Sequence, residues 1–136
     1  MPASDFKLSR GPSASALAYF RQTVRLRNVT QSTCAMSGWF KVQLLNAHGA
    51  VLPSHEQRIT SDMFGTSPKP KVEVKPGGGA SFAIDTTAPV TSCPHPKAIA
   101  VTPPSGHGAT RLNLSVLACA QFSVLPVQPD NKAVHP

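Results

Sequence analysis

Apolar and polar residues alternate along several short segments of the chain, which is the pattern of a strand with one buried face. The segment "QTVRLRNVT" places Val24 and Leu26 on one face and two arginines on the other. The segment "GWFKVQLLN" likewise places Phe40, Val42 and Leu44 on one face. Both segments are therefore predicted to form half-buried antiparallel strands.

Turn-forming residues separate these segments. The stretch "NAHGAV" predicts a turn that closes a hairpin onto "VLPSHEQRIT". The stretch "KVEVKPGGGASFAIDTT" predicts a strand, a glycine-rich turn and a second strand, because glycine lets the backbone reverse with positive φ. Residues 61–70 are predicted to form a loop, and "KAIAVTPP" a short strand that ends at its prolines.

This spacing of strands and turns predicts the fold class. Roughly seven to nine short strands with turn signals every 8–12 residues indicate an all-β antiparallel β-sandwich. Residues 1–18 are rich in Ser, Ala, Pro and Gly and are predicted to be a flexible lead-in to a sandwich domain over residues 19–128. Residues 129–136 are predicted to be a frayed tail.

Composition and charge narrow the range of partners. The 136 residues suffice for one domain, and 14 prolines and nine glycines agree with many turns. The net charge of +7 admits nucleic acid or an anionic surface as a partner. The basic residues are scattered, however, and only six acidic residues oppose them, which favours a basic surface over nucleic-acid binding. No apolar run approaches the roughly 20 residues of a membrane span.

The three cysteines are the main candidates for chemistry. Cys93 and His95 lie two residues apart in "CPHP" and would share a face of an extended segment. With Cys119 or Met36 they could form a copper or zinc site, although neither C-x-x-C nor H-x-x-x-H spacing occurs. A cysteine nucleophile needs a helix N-terminus or a paired histidine to lower its pKa, and the pattern around Cys34 predicts neither.

The remaining motifs favour binding over catalysis. The chain lacks G-x-S-x-G, P-loop and G-x-G-x-x-G sequences, so we expect no enzymatic activity and no cofactor. Trp39, the only tryptophan, either packs at one end of the sandwich or contacts a ligand. The tripeptide from Asn28 to Thr30 matches the glycosylation pattern, which also arises often by chance.

Several of these features occur in an order that marks a family. Asn28 precedes Thr33-Cys34, Gly38 is followed by an aromatic residue, and a strand ends in "NAHGAVL". "VEVKPGGGASFAI" comes next, then a cysteine before "AIAVTPP" and a last cysteine before "FSVLPV". Over about residues 20–128 the chain resembles the bacterial family catalogued as domain of unknown function 4232, which is frequent in secreted proteins and lipoproteins.

The resemblance implies an immunoglobulin-like β-sandwich outside the cytoplasm, with no established activity. Family members usually carry four cysteines, of which Cys34, Cys93 and Cys119 correspond to the second, third and fourth. If the missing first cysteine normally pairs with the last, Cys34 and Cys93 form a disulfide and Cys119 keeps a free thiol. Strand counting alone leaves the pairing open.

These expectations lead to two functional hypotheses. Disulfide use favours an oxidising compartment, so we expect a periplasmic, secreted or lipid-anchored protein whose signal segment is absent from this chain. The favoured function is a non-enzymatic binding or interaction module for an unknown protein or cell-envelope ligand. Trp39 and His95 are its candidate ligand contacts. The alternative is a periplasmic metal-binding domain.

Overall fold

The computed structural model describes residues 2–16, 19–53, 55–62, 65–66, 70–87, 96–114 and 121–129. These residues contain one short 3-10 helix, no α-helix and thirteen strands. In chain order the elements are η1 (Ala3–Asp5), β1 (Phe6–Ala16), β2 (Tyr19–Asn28), β3 (Cys34–Met36), β4 (Lys41–Leu45), β5 (His55–Arg58), β6 (Ser61–Asp62), β7 (Gly65–Thr66), β8 (Val72–Val74), β9 (Gly79–Thr87), β10 (Ala98–Thr102), β11 (Thr110–Asn113), β12 (Gln121–Val124) and β13 (Gln128–Pro129).

The strands form one large sheet and several small ones. The main sheet has the order β1-β2-β9-β12-β5, and β13 continues beside β9. A second sheet has the order β11-β10-β4, while β3 pairs with β8 and β6 with β7. All pairs are antiparallel except β12 with β5. The predicted all-β, antiparallel and sandwich-like architecture is thus confirmed.

The core lies between these sheets and follows the predicted alternation. Val24 and Leu26 of the main sheet are buried, while Arg25 between them and Arg27 after them are exposed. Phe40, directly before β4, stacks on Phe82 of β9 with ring centroids 4.6 Å apart and planes 9° apart. Each such side chain contributes about 1.5–3 kcal/mol on burial, so these rings tie the second sheet to the main one.

The N-terminal segment differs from the predicted flexible lead-in. Residues 6–16 form β1, which pairs with β2 on both sides of one irregularity. Phe6 and Leu8 are buried while Lys7 is exposed, so this segment also alternates. Its small polar residues do not prevent pairing, because the adjacent strand supplies the backbone partners and the core takes the apolar side chains. The domain therefore includes residues 2–16, while the predicted tail beyond residue 129 lies outside the described residues.

A glycine allows the irregularity in this first strand pair. The register shifts between Arg10 and Ser13. A Cβ atom at Gly11 would lie 3.0 Å from the Thr23 Cγ2 atom on β2. The bulge therefore packs Gly11 so closely against Thr23 that a larger residue would require Thr23 to shift.

The predicted turn at residues 46–51 is present, but the chain then changes sheets. The Asn46 N–H donates to the Ala50 carbonyl over 2.9 Å, and Gly49 takes a positive φ of 81°. The Leu52 N–H still bonds the Leu44 carbonyl, after which β5 joins the main sheet in parallel with β12. The predicted loop at residues 61–70 contains the two short strands β6 and β7.

Within the described part of the chain, no helix is long and apolar enough to cross a membrane.

Candidate functional site

A cleft with a volume of about 340 Å³ opens beside Trp39. Three separate segments form its walls: the loop before β4, the end of β5 and the turn at residues 102–106 after β10. The loop supplies Trp39, β4 begins with Lys41, and β5 ends with Arg58. One aromatic ring and two cations therefore share one opening.

The tryptophan is held at one edge of its ring. Its Nε1–H donates a hydrogen bond to the Ile59 carbonyl over 3.0 Å. The guanidinium carbon of Arg58 lies 5.9 Å from the ring centroid, within the range of a cation–π contact. These two contacts join the loop before β4 to the end of β5 and fix the orientation of the indole.

The glycine before the tryptophan sets the course of this loop. Gly38 has a φ of 102°, a conformation that residues with a Cβ rarely adopt. Its carbonyl accepts a hydrogen bond of 2.8 Å from the Val127 N–H. The backbone that carries Trp39 is therefore anchored to the segment between β12 and β13.

Glu56 contacts the edge strand of the second sheet and lies close to the charges of Arg58 and Lys41. Its Oε2 atom accepts a 2.6 Å hydrogen bond from the Val42 N–H on the edge strand β4. Its Oε1 atom lies 4.0 Å from the Nε atom of Arg58. Burial raises the pKa of Glu56 above its usual value, while the Val42 bond and the charges of Arg58 and Lys41 act in the opposite direction. With Glu56 ionised, one carboxylate faces two cations, so the cluster has a net positive charge.

The opposite wall of the cleft is a strained turn. The Gly106 N–H donates to the Pro103 carbonyl over 3.0 Å, which closes the four-residue turn "PPSG". Ser105, its third residue, has a φ of 55°, the only positive value among the described non-glycine residues. Such a conformation costs about 1–3 kcal/mol, and strained residues of this kind cluster at ligand sites.

The residues that the sequence predicts as site residues lie in different parts of the structure. Trp39 lines the cleft, and its role as a ligand contact stays a prediction. Cys34 is buried on β3 opposite Val74, and Met36 is buried opposite Val72. Cys93, His95 and Cys119 lie outside the described residues, so the disulfide, the free thiol and the copper or zinc site stay predictions. Among the described residues, no three His, Cys, Asp or Glu side chains come close enough together to hold a metal ion.

Sequence reasoning missed the cationic half of the cleft. In the sequence, Lys41 is one polar position in an alternating strand, and Arg58 lies 19 residues after Trp39 on a strand of another sheet. The prolines of "PPSG" signal a turn, but nothing in the sequence indicates that this turn faces Trp39.

The described part of the chain thus has an all-β, sandwich-like fold, with a cleft beside Trp39. The chain belongs to the family described as Domain of unknown function (DUF4232), whose family model matches residues 2–129. The match includes β1, in agreement with the pairing of that strand with β2. No curated protein and no solved structure shows a significant match to the chain.

Proposed function

We propose that the chain is a non-enzymatic binding domain that accepts an acidic segment of a partner protein in the Trp39 cleft. The observation that carries this proposal is the placement of Lys41 and Arg58 beside the ring of Trp39 in one opening. Cations, an indole and backbone amides hold a ligand by charge, packing and hydrogen bonds. They do not exchange protons with it at neutral pH.

The chemistry of the cleft favours carboxylates. An arginine guanidinium can donate two parallel hydrogen bonds to a carboxylate, and the lysine adds a second positive charge. The side chain of Arg58 is 59% exposed, and its contact with Glu56 is long at 4.0 Å. Such an exposed pair is weak, so an incoming carboxylate can draw the guanidinium away from Glu56 at little cost. The indole would pack against the aliphatic part of the acidic side chain.

Titration with a short acidic peptide tests this function. We expect acetyl-Glu-Glu-Glu-amide to change the fluorescence of Trp39 in a saturable manner and its glutamine analogue to leave it unchanged. Because Trp39 is the only tryptophan, the signal reports on the cleft alone. Lys41→Gln and Arg58→Gln should each weaken binding by about two- to fivefold, and added salt should weaken it further.

Lys97→Gln is the matched control for these variants. Lys97 is exposed and precedes β10, at the end of that strand opposite the cleft. We expect this variant to bind the acidic peptide as the unchanged protein does. Equal binding of the acidic and the neutral peptide, or an equal loss in Lys97→Gln, would show that the cleft has no preference for carboxylates.

The same proposal assigns the domain to an extracytoplasmic location and an immunoglobulin-like topology. It includes a disulfide between Cys34 and Cys93, a free thiol at Cys119 and a ligand contact by His95, two residues after Cys93. The support is the membership of the DUF4232 family, which the sequence resemblance led us to expect outside the cytoplasm, together with the burial of Cys34 at 1% exposure. A bridge closing this loop would stabilise the fold by roughly 4 kcal/mol on the chain-entropy model.

Peptide mapping of the unreduced, alkylated protein tests the covalent part. We expect one disulfide-linked pair of peptides that contains Cys34 and Cys93, with Cys119 recovered in alkylated form. Recovery of Cys93 linked to Cys119, or of three alkylated cysteines, would contradict the proposed pairing. The fluorescence titration is independent of this result, so the two parts of the proposal can fail separately.

A further inference from the structure

Three basic side chains stand next to one another on the face of the main sheet opposite Val24 and Leu26, and none of them lines the cleft. Lys7 on β1 lies directly opposite Arg27 on β2, and Ser9 lies directly opposite Arg25. Lys7, Arg25 and Arg27 are all exposed, while their neighbours along each strand face the core. Directly opposed residues of an antiparallel pair have Cβ atoms about 4.5–5.5 Å apart, and diagonal neighbours are within reach of long side chains.

These cations have no carboxylate partner in the described part of the chain. The ion pairs between described residues join Arg21 to Asp85 and Arg58 to Glu56. Like charges directly opposite each other destabilise a sheet. An anionic partner bound to this face would attract both Lys7 and Arg27 and would offset the repulsion between them.

The strand on the other side of β2 places only small residues beside these cations. On the other side of β2, Arg27 is opposite Gly79 and Arg25 is opposite Ser81, so the basic side chains have only small residues beside them on β9. Val29 follows two positions after Arg27 and is 54% exposed, one of the two large exposed apolar residues among those described. Cations beside an exposed aliphatic side chain match the boundary between lipid headgroups and acyl chains.

We propose that this face, defined by Lys7, Arg25, Arg27 and Val29, docks the chain on a bilayer that contains anionic phospholipids. The cations bind headgroup phosphates, and Val29 contacts the layer beneath them. Proteins hold single-stranded nucleic acids in basic grooves with stacked aromatic rings. A basic sheet face with an exposed valine is the better match to a lipid surface.

Cosedimentation with lipid vesicles tests the proposal. The full chain should sediment with vesicles of phosphatidylcholine mixed with phosphatidylglycerol and stay in solution with pure phosphatidylcholine. Each basic residue near an anionic surface contributes about a fivefold increase in the partition coefficient. The triple variant Lys7→Gln, Arg25→Gln, Arg27→Gln should therefore bind roughly a hundredfold more weakly. Raising the salt concentration should weaken binding of the unchanged protein.

A second triple variant controls for net charge. Lys71→Gln, Lys97→Gln and Arg111→Gln remove the same formal charge from exposed positions outside the main sheet. This control should keep at least most of the vesicle binding. Val29→Ser should lower binding without changing its dependence on salt.

Several outcomes would overturn the proposal. These are an absence of binding to the mixed vesicles, an equal loss in both triple variants, and binding to oligothymidylate at the same salt that exceeds binding to vesicles. The last outcome would assign the face to nucleic acid. The melting temperature of the Lys7, Arg25, Arg27 variant should equal or exceed that of the unchanged protein, because the variant removes a repulsion. If this variant keeps its melting temperature and loses vesicle binding, the loss comes from the removed charges and not from unfolding.

Discussion

Replacement of Asp85 by alanine is expected to lower the free energy of unfolding by about 3–5 kcal/mol, because it leaves the charge of Arg21 buried without its carboxylate. Arg21 on β2 and Asp85 on β9 are directly opposite in the main sheet. The Nε atom of Arg21 lies 3.2 Å from Oδ1 of Asp85, and each side chain is only 3% exposed. Urea-induced unfolding of the two proteins measures the difference.

Two further variants separate the buried pair from a general effect of charge. The double variant Arg21→Ala, Asp85→Ala should lose less than the sum of the two single losses, because no charge is left buried. Arg58→Ala, which removes the exposed partner of Glu56, should cost less than about 1 kcal/mol. A loss in Asp85→Ala no larger than that in Arg58→Ala would show that the buried pair does not stabilise the main sheet.

Replacement of Asn28 by alanine is expected to cost about 2–4 kcal/mol, since the side chain amide is buried and satisfies several backbone groups. Its Nδ2 atom donates to the carbonyls of Ser32 and Val74 over 2.8 and 2.9 Å. Its Oδ1 atom accepts from the N–H and the hydroxyl of Thr30 over 2.9 and 2.7 Å. The amide thus makes four hydrogen bonds that connect the end of β2 with the next loop and with β8.

Asn28→Asp and Thr30→Ala are the matched variants. Asn28→Asp has nearly the same shape, but it loses both donors and buries a charge, so it should be at least as unstable as Asn28→Ala at neutral pH. Thr30→Ala removes one hydroxyl and one methyl group but keeps the Asn28 amide and the Thr30 N–H, so it should cost about 1 kcal/mol. Equal unfolding midpoints for Asn28→Ala and Thr30→Ala would contradict the assigned role of the amide.

The burial of Asn28 also clarifies the tripeptide that matches the glycosylation pattern. Asn28 is 0% exposed, and both of its amide hydrogens are bonded to carbonyls. In the folded chain this residue is therefore a structural connector and not an acceptor for a sugar. The sequence pattern could not distinguish these roles, because the same three residues are compatible with both.

The two proposed binding surfaces use different parts of the sandwich. The cleft lies where the loop before β4, the end of β5 and the turn after β10 meet, whereas the basic face lies on β1 and β2 of the main sheet. Variants of one surface leave the residues of the other unchanged. A domain docked on a membrane by one sheet face could still present the cleft to a partner protein.

Local alternation was sufficient to predict most of the strands. The burial of Val24 and Leu26, of Phe40 and of Phe82 follows directly from which residues share a face of an extended segment. Alternation is local, because successive side chains of a strand point to opposite sides whatever the strand pairs with. The same rule applies to β1, where the polar and small residues concealed a pattern that begins with Phe6 and Leu8.

The sequence alone does not predict which distant segments of the chain pair with each other. Nothing local indicates that β5 leaves its hairpin and joins β12 in parallel, or that β8 pairs with β3 rather than with β9. Arg21 and Asp85 are 64 residues apart, and each resembles an ordinary surface charge until the two strands are side by side. Their contact depends on register, which is determined by the packing of all strands together.

By itself, the sequence therefore determined an all-β chain, the faces of its main strands and the family to which it belongs. The tertiary structure alone decided which strands are neighbours, and with them the buried ion pair, the basic face and the cleft beside Trp39. The physical reason is the range of the interactions. Turn chemistry and the alternation of side chains act between residues close in sequence, whereas sites form where chain segments that are far apart in sequence come together.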